Sequence, residues 1–294
     1  MTAPQAGRGR LVLAAILGLA AIAGGVLLIM SRSEAILGAR RALPASPVVL
    51  EHSPVAQAQA AARGARLIAV AACSGCHGAD LTGGPLRVFG TQVHTPNLTL
   101  QLRDLSDADI DRALRAGLRP DGTSELVMPA HAYRALTDEE VAAIIVALRA
   151  LPGQGTRQPA LRPGLFLRAA LAVGALRTEP QQVAAARSPL DAGASFAAGR
   201  HLAAFACGRC HGTNLGGVAN VGPDLTVRGY YSRARFHALI QKGDAIGEGN
   251  MALMTDTAKN NFSHFTDAEV DAIYDYLEAR DRVLVARAAA AKRR

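Results

Sequence analysis

The first thirty residues divide sharply by polarity. Residues 1–10 are polar and carry Arg8 and Arg10; Leu11 to Met30 then run for twenty residues without a charge. As a helix this run rises ~1.5 Å per residue and spans ~30 Å, about one hydrocarbon core. It exceeds the ~7–15 apolar residues of a cleaved signal peptide, and no A-x-A site follows directly. Ala42-Leu43-Pro44-Ala45 lies too far downstream. The pattern predicts an uncleaved signal anchor, residues 1–34, with its transmembrane part at 11–30. Arg8 and Arg10 then stay cytoplasmic and everything after Met30 lies outside.

Residues 35–59 hold Pro44, Pro47 and Pro54 and show no period, which reads as a tether. Apolar periodicity returns near Ala60 and continues through Leu67, Ile68 and Val70. Three later helices announce their starts. Thr137 with Glu140 and Thr266 with Glu269 are capping boxes, flanked by Leu136/Val141 and Phe265/Val270 as hydrophobic staples. Ser106 with Asp109 is a weaker box. These predict helices from Ser106 to about Leu118, from Thr137 to about Leu151, and from Thr266 to at least Glu278. Pro152 to Pro163 is a linker rich in Pro and Gly. Leu165 to Leu176 is apolar, holds Arg168 and is too short to span a bilayer. It reads as a helix packed between domains or lying at the membrane interface.

The soluble part repeats. Gly199-Arg200-His201-Leu202 corresponds to Gly64-Ala65-Arg66-Leu67, and Gly222-Pro223-Asp224-Leu225-Thr226 to Thr95-Pro96-Asn97-Leu98-Thr99. Two copies of one domain are expected, at 60–153 and 191–285, joined by a linker at 154–190 and followed by a basic tail at 286–294.

Composition sharpens this. The chain has no Trp, seven Phe and five Tyr, so small domains built from it need another large apolar filler. The formal charge is +8, but no basic run is interleaved with aromatics, which argues against nucleic-acid binding. Lys292-Arg293-Arg294 reads as a solvated tail.

All four cysteines fall in two five-residue stretches, Cys73-Ser74-Gly75-Cys76-His77 and Cys207-Gly208-Arg209-Cys210-His211. Both read C-x-x-C-H, the attachment signature of c-type haem. Two thiols at this spacing can each form a thioether to one vinyl group of the same porphyrin, and the His that follows binds the iron. A four-cysteine zinc site or a redox dithiol would not explain a His after both pairs. Two covalently bound haem c groups are therefore expected, and they would supply the missing core filler.

The sixth ligand decides the chemistry. A thioether makes an electron carrier; an open position makes a catalyst or gas binder. Beyond Met1 and Met30 the chain has Met128, Met251 and Met254, each between a haem motif and the closing helix of its unit. Pro129 has no N–H and a fixed φ, which stiffens the loop after Met128. Spacing does not separate Met251 from Met254. His52, His94, His131, His201, His237 and His264 remain as other histidines, with His131 and His264 nearest the methionines.

The sequence C-x-x-C-H, Pro96-Asn97-Leu98-Thr99, Met128-Pro129 and Leu136-Thr137-Asp138-Glu139-Glu140, with Phe89-Gly90-Thr91, resembles class I cytochrome c domains. The second unit carries the resemblance in Gly222-Pro223-Asp224-Leu225 and in Met254 through Phe265-Thr266-Asp267-Ala268-Glu269. The likeness is strongest to cytochrome subunits of bacterial membrane-bound dehydrogenases, although those often hold three haems and this chain has cysteines for two. The resemblance implies an all-α fold, two cytochrome c-like domains in tandem behind an N-terminal transmembrane helix. It also implies Met128 and Met254 as axial ligands, with the carbonyls of Pro96 and Pro223 accepting hydrogen bonds from His77 and His211.

The expected function is electron transfer in the periplasm, at the bacterial inner membrane, probing no substrate of its own. The donor would be a dehydrogenase, of which the chain is a subunit, and the acceptor a terminal oxidase or other redox protein; the other carrier role is a free-standing anchored link between a quinol-oxidising complex and an oxidase. The enzyme alternative is a dihaem peroxidase or small sulfur-compound oxidase, which needs one haem able to open its sixth position. A haem-based sensor would need an output module, and the sequence displays none.

Overall fold

The computed structural model describes residues 5–51, 53–88, 91–246 and 251–293, with side chains from residue 9 onward. His52, Phe89, Gly90, Arg294 and the Arg8 side chain, named above, lie outside the described residues. The fold is mostly helical, as expected, with one small hairpin among the described residues.

Helix α1 (Gln5–Gly38) is long and apolar enough to cross a membrane, and its apolar side chains stand clear of the rest of the protein. It continues past Met30 because nothing in Ser31–Leu37 breaks a helix, and it ends at Gly38. The next helix, α2 (Pro54–Val70), starts earlier than the periodicity suggested. Ser53 accepts the amide of Ala56, and Pro54 takes a first-turn position, where a missing N–H leaves nothing unpaired. The stretch between α1 and α2 is strapped down. The Arg41 amide donates to Gly122 O at 2.9 Å, and Val48 and Leu50 pack on the core.

The first unit continues with α3 (Ser74–His77), β1 (Gly84–Val88), β2 (Thr91–Thr95), α4 (Leu98–Gln101), α5 (Asp107–Ala116), α6 (Ala130–Tyr133) and α7 (Asp138–Ala150). The antiparallel hairpin, with Leu86 opposite Val93, has no full counterpart among the described residues of the second unit, where Val218 and Gly222 form an isolated bridge. Then come α8 (Leu165–Ala172) and α9 (Glu179–Ala185). The second unit has α10 (Ala197–Ala206), α11 (Gly208–His211), α12 (Arg233–His237), α13 (Ala252–Asn260) and α14 (Asp267–Ala291). The capping boxes of α5, α7 and α14 are all formed, and both staple pairs are buried.

Each unit is built on one close helix crossing, α2 over α7 and α10 over α14. Gly64 and Gly199 make the approach. A Cβ on Gly64 would sit 1.9 Å from Ala143 O, and one on Gly199 would sit 1.9 Å from Ala272 O. The equivalence is residue for residue, since Ala143 and Ala272 hold the same place after their N-caps.

The two units pack reciprocally. Arg66 on α2 pairs with Glu269 on α14 at 2.8 Å. His201, at the matching place on α10, contacts Glu140 on α7 at 2.8 Å. Residue i of one copy meets residue j of the other and the reverse, the signature of a two-fold relation. A single cluster of buried apolar side chains, including Leu67, Ile144, Phe205 and Ile273, runs through both units.

Candidate haem-binding sites

α2 and α10 end by turning into the two motifs in the same way. The amide of each His returns to the carbonyl of the first Cys, at 2.9 Å in both units. Gly78 and Gly212 then adopt φ of +81° and +78° and reverse the chain. The Gly83 amide reaches His77 O at 2.7 Å, and the Gly217 amide reaches His211 O at 2.8 Å. Leu81 and Leu215 sit at φ +61° and +62° with buried side chains, a left-handed conformation that costs a leucine about 1 kcal/mol or more. Its presence twice marks the reversal as a required shape.

The reversal carries Pro96 and Pro223 back to the imidazoles. His77 Nδ1 lies 3.0 Å from Pro96 O, and His211 Nδ1 lies 2.7 Å from Pro223 O. A carbonyl only accepts, so each Nδ1 holds the proton and donates. Each Nε2 is left with its lone pair, which is the form that binds iron. Burial lowers the pKa of both imidazoles and reinforces the neutral state. The two carbonyl contacts are those implied by the cytochrome c resemblance.

The residue after each proline fixes that carbonyl. Asn97 Oδ1 accepts the amide of Thr99 at 2.9 Å, and its Nδ2 donates to Gln154 O at 2.8 Å. Asp224 Oδ1 accepts the Thr226 amide at 2.9 Å and the buried Arg280 guanidinium at 3.2 Å. Arg280 also donates to Leu215 O at 2.9 Å. Closing helix and His-orienting loop are thus tied together in the second unit.

None of the four cysteines is paired in a disulfide. Burial pushes the thiol of Cys73 up to about 11 and that of Cys207 up to about 12, as expected of sulfurs set in apolar walls. Among the described residues no three His, Cys, Asp or Glu side chains gather into a metal cage. The donor set fits a covalently held haem: paired thiols, an oriented imidazole and apolar walls. In the second unit the walls enclose a cavity of about 460 Å³, within the ~300–1,000 Å³ of small-molecule and cofactor sites. Cys207, Cys210, His211, Met251 and Met254 line it together. In the first unit Met128 and Cys73 each pack against the core. The carbonyl of Met128 accepts the Ala130 amide at 2.8 Å, which folds the loop tightly around Pro129.

Three of the remaining described histidines near the sites have other partners. His131 Nδ1 lies 2.8 Å from the buried carboxylate of Glu179. His201 holds Glu140, and His237 lies 3.1 Å from Asp271. His264 is exposed.

Two features were missed by sequence reasoning. Glu179, in the supposed linker, is buried and receives the His131 amide as well as its ring. No local pattern marks it, because the partner is distant in the chain. Arg209 is the second. Its Nη1 donates across the unit boundary to Ala72 O at 3.3 Å and Ala71 O at 3.4 Å, in the turn before Cys73. Tyr133 donates to the same Ala71 O at 2.6 Å. The only hint was asymmetry, Arg209 standing where the first motif has Gly75.

Two stretches, 59–146 and 194–277, match the family model described as "Cytochrome C oxidase, cbb3-type, subunit III". Together they cover more than half of the chain, one match to each unit. No curated protein matches the chain.

Proposed function

Because the chain belongs to the family of cbb3-type cytochrome c oxidase subunit III, we propose that it is a membrane-anchored dihaem cytochrome that relays electrons on the periplasmic side. Cytochrome c domains of this kind are electron-transfer modules of haem proteins. A bound haem c supplies a one-electron iron centre. The residues of this chain would hold and tune it. Cys73 and Cys76 would form the thioethers of one haem, and Cys207 and Cys210 those of the other. His77 and His211 would bind the irons through Nε2, each oriented by its proline carbonyl. Met128 and Met254 would fill the opposite positions, which raises the potential and closes the iron to substrate.

The observation that carries this reading is the His-to-proline-carbonyl pair, repeated in two units of equivalent backbone. α1 would span the inner membrane once, leaving 60–153 and 191–285 outside as the two haem domains. The family's description names an oxidase, which supports a terminal oxidase on the acceptor side. The resemblance to dehydrogenase cytochrome subunits supports a dehydrogenase as donor.

The test is purification from native membranes in mild detergent, with haem content and stoichiometric companions measured. Two covalent haems per chain and a co-purifying dehydrogenase, whose substrate reduces both, are expected. One haem, or an oxidised protein that turns over peroxide, would overturn the relay. Two haems with an oxidase alone would place the protein at the acceptor end, without a dedicated donor.

A further inference from the structure

We propose that α8 is an interfacial helix: it is clamped to the emerging end of α1 and lays an apolar face into the lipid surface, fixing the pose of the first unit. The inference rests on the reading of α1 as the membrane anchor.

α8 has eight residues, so it is ~12 Å long and cannot span a bilayer. Its inner face, Leu167 and Leu171, is fully covered by a small cluster with Leu126, Ile36 and Leu37. Its one charge is turned toward α1. Arg168 Nη1 lies 2.6 Å from Glu34 and 3.2 Å from Ser33 Oγ. The outer face keeps no charge. Leu165 and Phe166 are exposed there, and Val173 just past its end, by 53%, 65% and 74%. A helix facing water normally carries its polar residues on that side.

The height of the clamp decides what meets this face. Glu34 lies four residues past Met30, so it stands ~6 Å beyond the end of the uncharged run. The headgroup layer on each side of a ~30 Å core is roughly 5–7 Å thick. α8 is therefore bound to α1 at headgroup level, where interfacial helices bury an apolar face ~5–10 Å into the acyl boundary. Because Arg168 is already paired, no free charge need follow Phe166 into that layer. The same cluster contains Leu126 and Val127, next to Met128, so the clamp reaches the first haem site.

The test uses the full-length holoprotein, one copy per nanodisc of phosphatidylcholine and phosphatidylglycerol. A lipid bearing a diazirine near the glycerol is photolysed, and tagged peptides are mapped. Tags on α1 and on the peptides holding Phe166 and Val173 are expected. Tags on α1 alone would overturn the proposal; no tags on α1 would instead overturn the anchor. A second readout compares Phe166→Cys with Val285→Cys, sites of nearly equal exposure in the protein alone, 65% and 69%. A membrane-impermeant maleimide should react roughly tenfold more slowly at the first in discs, as burial at the acyl boundary requires. Equal rates would exclude lipid contact. Equal rates in discs together with slow reaction in native membranes would assign the face to a protein partner instead.

Discussion

A histidine that spends Nδ1 on a carbonyl has one nitrogen left, and in this chain that happens twice. In the proposed haem site the residue opposite would set the potential. Met251 and Met254 line the same cavity, so geometry leaves the same pair that spacing left, and the proposed choice of Met254 needs a measurement. Met254→His should lower the potential of one haem by a few tenths of a volt, within the ~0.8 V that axial ligands span. Met251→Leu should leave both potentials in place. An optical redox titration reads both. A shift in the second variant alone would move the ligand to Met251. The proposed thioether cysteines and iron-binding histidines could be named from sequence because thioether spacing would force them to be neighbours in the chain. The proposed opposite ligand would come from a loop some forty to fifty residues further on, which no local rule constrains. Glu179 and Arg209 were illegible for the same reason, since each acts on a backbone that folding alone brings to it.

Helix starts were legible, because a capping box is a local exchange of hydrogen bonds between residues three apart. The boxes at Thr137 and Thr266 form as read. Thr266→Ala should cost ~1 kcal/mol, seen as a lower guanidinium midpoint at unchanged slope. Helix crossings were not legible, because a glycine in a helical pattern reads only as a weakness. Gly64 and Gly199 are there because the facing carbonyls would lie 1.9 Å from a Cβ. Gly199→Ala must push α10 off α14 and should cost about 3 kcal/mol, the top of the usual overpacking range. The same unfolding experiment separates the two. A cost near zero for Gly199→Ala would mean that the helices can slide apart freely. The early start of α2 shows the opposite error: Pro54 looked like a breaker but occupies the first turn, the one place in a helix where proline fits.

At the scale of the whole molecule, the tandem repeat was legible but the pairing of its halves was not. Arg66 and Glu269 are 203 positions apart, and His201 and Glu140 are 61 apart. Glu269 also caps α14, so its two roles can be separated. Glu269→Gln keeps the capping oxygen and loses the charge pairing with Arg66. It should cost under ~1 kcal/mol, as partly exposed ion pairs do, so the apolar contact between units must do most of the holding. Arg209 is different, because it places a fixed positive charge of one unit's motif against the turn that carries the other's. A positive charge favours the reduced state of a nearby one-electron centre. Arg209→Gln should therefore lower the potential of the first haem by tens of millivolts, on the scale of ~59 mV per tenfold change for one electron. Gln keeps a donor for the carbonyls of Ala71 and Ala72, so a purely structural role predicts potentials that stay put. If both potentials fall together, the charge is shared, and the interface between the repeats is the element that couples the two redox sites.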